Sequence, residues 1–168
     1  MEAFVGLGSI SGLKSLTLSQ LFVNRGRDVV QDRHLCHIGN LRALEELVLD
    51  GMSDVRSGRE VVTSDGVFSA LRHMRNLTKL HIPDVPITCP ILEAITKNTK
   101  LVSLSVSGYG PEVSSYPPTA VDSLQDLIHL EHFTLNCSDV DDKQELWFRH
   151  SIPFSSVSRV CLTQVQHQ

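Results

Sequence analysis

The stretch LEELVL, residues 44–49, decides the fold. Leucine stands at its first, fourth and sixth positions. The closing L-x-L is the period of a strand that buries one face. The same spacing returns as LKSLTL from Leu13, LTKLHI from Leu77 and LVSLSV from Leu101, with looser copies LEHFTL from Leu130 and VSRVCL from Val157. Starts lie 24 to 33 residues apart.

Each hexamer is preceded by an apolar ladder of period three. Nine residues before the starts stand Phe4, Leu35, Phe68, Leu92, Val121 and Phe148. Six before stand Leu7, Ile38, Leu71, Ile95 and Leu124, with Ser151 the exception. Three before stand Ile10, Leu41, Met74, Leu127 and Phe154, with Asn98 the exception. Thus 16 of 18 positions are apolar, where a composition of 41% hydrophobic predicts about seven. A spacing of three suits a short helix or 3₁₀ segment with one buried face. The unit is therefore a short helical segment feeding a strand, six times over.

This pattern resembles the leucine-rich repeat family across nearly the whole chain. The resemblance implies an α/β solenoid, a curved horseshoe with about six parallel strands on its concave face and helices or 3₁₀ segments on its convex face. No single unit buries its apolar face alone, so neighbours must stack. The chain departs from the family at one position. Where members often carry Asn or Cys, three residues after the last strand leucine, stand Leu21, Met52, Val85, Tyr109, Ser138 and Val165. The subfamily is irregular. Residues 1–168 read as a single domain of six repeats. The sequence starts within a helical part, ends just after the sixth strand and shows no polar cap, so a fragment of a longer array is the favoured reading and end-to-end self-association is open to it.

The bulk composition excludes several classes. The net charge of -4 recruits neither nucleic acid nor an acidic membrane. No apolar run reaches the roughly 20 residues of a membrane helix, and MEAFVGLGSI lacks the basic start of a signal peptide. Cys36, Cys89, Cys137 and Cys161 are scattered and read as reduced thiols of an intracellular, cytoplasmic protein.

Motifs for chemistry are weak. GLGSISG, from Gly6, has Ser11 where a dinucleotide fingerprint needs glycine, and no strand precedes it. His34, Cys36 and His37 in HLCH, and His129 and His132 in HLEH, lack zinc spacing, and the histidines read as solvated residues beside ladder leucines. SDVDDKQELWF places Lys143 where a calcium loop needs an oxygen, so its carboxylates read as the acidic start of a helix. Cys89 borders a helix start but reads as a small buried residue. In VTSDGVF the expected helix cap is Ser64 or Asp65, and in TCPILEA it is Thr88, with Pro90 in the first turn. No cofactor or metal is expected, and no enzyme.

What remains is a surface. Alternation places three columns on the concave face. The first holds Ser15, Glu46, Lys79, Ser103, His132 and Arg159. The second holds Thr17, Val48, His81, Ser105, Thr134 and Cys161. The third holds Ser19, Asp50, Pro83, Ser107, Asn136 and Thr163. The middle column is mostly small, which leaves room for a partner. Mixed charge at modest density suits protein better than a phosphate backbone. The loops add a second candidate. VNRGRDVV (23–30) and VRSGREVV (55–62) are near-copies that project Arg25, Arg27, Arg56 and Arg59 from one rim. Those arginines either pair locally with Asp28 and Glu60 or grip an acidic group. SGYGPEVSSYPP adds Tyr109 and Tyr116, a residue type enriched at interfaces.

The expected function is a non-catalytic protein-binding scaffold. Glu46, Val48, Asp50, Lys79, His81, Ser103, Ser105, His132, Thr134 and Arg159 are its concave-face site, with the loop residues beside them. The alternatives are a recognition subunit of a larger assembly, as in a ligase adaptor or a multidomain receptor, and RNA or phospholigand binding through the arginine rim.

Overall fold

The computed structural model describes residues 2–19, 30–51, 53–54, 59–60, 62–107, 123–137 and 159–164. In chain order the elements are α1 (Glu2–Gly8), β1 (Ser15–Ser19), α2 (Asp32–Ile38), β2 (Glu46–Asp50), β3 (Ser53–Asp54), β4 (Arg59–Glu60), α3 (Ser64–Leu71), β5 (Lys79–Pro86), α4 (Cys89–Thr96), β6 (Ser103–Ser107), a 3₁₀ turn at Ser123–Asp126, β7 (His132–Cys137) and β8 (Arg159–Gln164). Six strands form one sheet in the order β1-β2-β5-β6-β7-β8, every pair parallel. β3 and β4 form a separate antiparallel ribbon.

A parallel neighbour requires a crossover. α2, α3, α4 and the 3₁₀ turn lie in successive crossovers, and each packs on the next, with α1 leading the series against α2. The helical layer thus keeps the order of the strands. Parallel sheets covered on both faces carry nearly continuous apolar runs. Here the strands alternate instead, as in SLTLS and SLSVS. One strand face therefore joins the helices in the core. Its rows are Leu16, Leu47, Leu80, Leu104 and Phe133, then Leu18, Leu49, Ile82, Val106 and Leu135.

The period of three has a hydrogen-bond basis. The N–H of Ile10, Leu41, Met74, Asn98 and Leu127 each donates to the carbonyl three residues earlier, at 2.9 to 3.1 Å. Leu13, Leu44, Leu101 and Leu130 repeat that step. Such turns bring residues three apart onto one face, which is why the ladder is buried. The start of each strand is equally regular. The carbonyls of Lys14, Glu45, Thr78 and Val102 each accept two N–H groups, from the next strand's first residue and the residue before it, at 2.7 to 3.1 Å. Neighbouring strands are thereby locked in one register.

Several expectations need correction. The cap of α3 is Thr63, whose Oγ1 accepts from the Gly66 N–H at 3.2 Å, rather than Ser64 or Asp65. Asp32 selects it: its Oδ1 accepts from the Thr63 N–H at 2.8 Å and its Oδ2 from the Thr63 hydroxyl at 2.7 Å. Thr88 does precede α4, with Pro90 in the first turn, but its side chain makes no capping bond. His34 is buried rather than solvated. Its ring stacks on Phe4 of α1, with centroids 4.6 Å apart, and its Nδ1 accepts from the Gln31 N–H at 3.0 Å. The third column also fails at β5. Register slips between Ile82 and Pro86, so Pro86, not Pro83, stands opposite Ser107.

Candidate functional site: the polar face of the sheet

The sheet face opposite the core carries the first two expected columns as aligned rows. Ser15, Glu46, Lys79, Ser103, His132 and Arg159 stand opposite one another across all six strands. Thr17, Val48, His81, Ser105, Thr134 and Cys161 form the next row. Six strands at about 4.8 Å make rows of roughly 25 Å. Of the third column, Ser19 stands opposite Asp50, and Ser107 stands between Pro86 and Asn136.

Exposure grades along this face. Ser15, Glu46, Asp50, Lys79 and His132 are exposed, while Val48, His81, Ser103 and Thr134 are half-buried. Ser105 is only 9% exposed, Ser107 is fully buried and Pro83 is buried. The bulged end of β5 is the physical reason at Ser107: Pro86 stands opposite it, and the Ile87 N–H donates to its carbonyl at 3.1 Å. On β5 and β6 the accessible part of the face is thus the end where the strands begin, whereas on β1 and β2 Ser19 and Asp50 stay exposed at the far end. The room expected at the middle column is closed at Ser105.

Charge on the face is separated. β2 carries Glu46 and Asp50, whereas β5 and β7 carry Lys79 and His132, with Arg159 in the same row on β8. Glu46 accepts from the Ser15 hydroxyl at 3.2 Å. The side chains of Asp50, Lys79, His81 and His132 make no hydrogen bond or ion pair with other described residues. Beside the first row, Lys14 pairs with Glu45, an ion pair between residues just before β1 and β2. The columns of alternating residues gave no signal for that pair, because both residues precede their strands.

Of the loop candidates, Arg25, Arg27, Arg56, Tyr109 and Tyr116 lie outside the described residues. Arg59 starts β4, with its backbone opposite Asp54. Of the loop valines, Val62 is buried in the core and Val30 packs against it. Cys36 and Cys89 are free thiols, exposed and half-buried respectively. Among the described residues no three His, Cys, Asp or Glu side chains converge on a possible metal position, and no helix is long and apolar enough to cross a membrane. No family model matches this sequence, and no curated protein is similar to it.

Proposed function

We propose that the chain is a leucine-rich repeat solenoid that recognises a protein or peptide partner, without catalysis, through the polar face of its sheet. The observation that carries this reading is the set of charged and polar side chains in register on that face, of which Asp50, Lys79, His81 and His132 have no partner among the described residues. The sheet fixes the backbone and register of these groups, so a partner has only the side chains themselves to order, at about 0.5–1.5 kcal/mol each. The identical hydrogen bonding at successive strand starts supports the repeat reading.

The test is affinity capture from the source cell with mass spectrometry. The wild type is run beside a face variant (Glu46→Arg, Lys79→Glu, His132→Glu) and a rim variant (Arg27→Glu, Arg59→Glu), both first shown to fold by circular dichroism. A protein partner retained by the rim variant and lost with the face variant is the expected result. Loss with the rim variant alone moves the site to the loops. Nucleic acid in the wild-type eluate, with steep salt dependence, replaces the reading by phosphate recognition.

A further inference from the structure

Among the described residues β1 ends the sheet, paired with β2 on one side only. The Lys14 carbonyl, just before it, faces β2 and accepts from Glu45 and Glu46. Successive residues of a strand direct their backbone groups to opposite sides. Leu16 and Leu18 therefore face β2, and Ser15, Thr17 and Ser19 direct N–H and C=O outward. Among the described residues nothing hydrogen-bonds those outward groups. Proteins commonly block such an edge with lysine, proline or a bulge. The strand SLTLS has none of these.

The same five residues read identically in both directions about Thr17. An antiparallel pairing of the strand with itself places Ser15 opposite Ser19, Leu16 opposite Leu18 and Thr17 opposite its own copy. Both leucines stay on the core face, and the serines and threonine stay on the polar face, so no register conflict arises. The outward groups of Ser15, Thr17 and Ser19 then form the hydrogen-bonded pairs of an antiparallel ladder. No like charges meet across the axis. The end of the core is also less covered than its middle. Leu18 is half-buried, whereas its row-mates Leu49, Ile82, Val106 and Leu135 are at most 1% exposed. Val5 on α1 and Ile10 beyond it are 50% and 49% exposed at this same end.

We propose that β1 pairs antiparallel with β1 of a second copy of this chain, about a two-fold axis at Thr17, joining two sheets into one. A closed, isologous contact of this kind stops at the dimer. It leaves the first polar row of each copy on the same side of the joined sheet.

The experiment is sedimentation equilibrium of the full chain over a range of concentrations, with hydrogen exchange at the Thr17 amide. The expected mass is that of two chains, and Thr17 protection rises with concentration. Thr17→Pro is the decisive variant. Its missing N–H faces outward, a position where an edge strand tolerates proline, so the chain folds and its mass falls to that of one chain. Thr17→Lys sets like charges opposite each other and weakens the dimer most at low salt. Should Thr17→Pro fail to fold by circular dichroism, the lysine variant and wild-type exchange decide. A single-chain mass at every concentration overturns the proposal, as does a dimer unchanged by either variant. Mass that keeps growing with concentration overturns it too, since that is head-to-tail stacking.

Discussion

Asn98 is the residue that interrupts the apolar ladder, and its surroundings explain why. In the other described repeats the first hexamer leucine donates its N–H back to the residue three earlier. Leu77 does not. Its N–H donates to Asn98 Oδ1 at 3.2 Å, and the Met74 carbonyl accepts instead from Arg75 Nη1 at 2.7 Å. Asn98 is fully buried, and its Nδ2 donates to the Ala94 carbonyl at 3.2 Å. The asparagine thus compensates for an open turn in the preceding repeat. Asn98→Leu restores the ladder pattern but strands a buried N–H and weakens the end of α4. We expect it to destabilise by about 2 kcal/mol or more, measured by urea unfolding; a stabilised variant would contradict this assignment. His34 supplies a second test. Burial, with Arg33 and then the chain's amino terminus and His37 adding positive charge, lowers its pKa below the ordinary 6.5. Its folded form is the neutral one, so its contribution is complete above 6.5 and is lost as pH falls through the lowered value. Wild type should therefore lose more stability between neutral and mildly acidic pH than His34→Asn, in which that group does not titrate. Equal losses would remove His34 from the account.

At the scale of elements, α2 and α3 are tied start to start. The Asp32 carboxylate holds both polar atoms of Thr63, and Thr63 caps α3. A Cβ on Gly66 would overlap Asp32 Oδ1. Glycine to alanine inside a helix ordinarily gains about 1 kcal/mol. Here Gly66→Ala must push the carboxylate off Thr63, so we expect a net loss of about 1–2 kcal/mol. In an Asp32→Ala background only the Cβ of residue 32 remains, 3.0 Å from the added methyl, so the cost of the same change should shrink markedly. That drop in cost, read from thermal unfolding of the four proteins in the cycle, is the check. Sequence reasoning could not choose the cap because Thr63, Ser64 and Asp65 all carry suitable oxygens. The choice rests on a carboxylate 31 residues upstream. His34 was similarly illegible. Its position just before the ladder residue Leu35 predicts solvent, and it is Phe4, from the preceding helix, that stacks on its ring. The strands were legible because alternation within a five-residue segment reports burial directly, and LEELVL does pair in the register its leucines imply. The polar rows inherit that register. They fail where β5 bulges, since nothing in the leucine spacing announces a slip at Ile82–Pro86.

Across the whole molecule, layers touch mainly their neighbours, so stability is set locally by how well each layer is covered on both sides. Leu49 has β1 on one side and β5 on the other and is fully buried, while Leu18, its partner in register, lies at the end and is half-buried. Truncating a fully buried leucine costs about 2–5 kcal/mol, and a side chain already half in water leaves a smaller cavity and costs less. Leu49→Ala should therefore fall in that range in dilute solution, and Leu18→Ala well below it. Concentration provides the further discrimination. Pairing of β1 with a second copy covers Leu18 and leaves Leu49 as it was. The cost of Leu18→Ala should then rise toward that of Leu49→Ala as protein concentration increases, and the cost of Leu49→Ala should stay nearly constant. Denaturant unfolding of both variants at two well-separated concentrations reads this directly. Two costs that keep the same gap at both concentrations mean that the end of the sheet stays uncovered in solution. Two equal costs in dilute solution mean that the edge is covered without a second copy, and the gradient of stability along the sheet then has no basis.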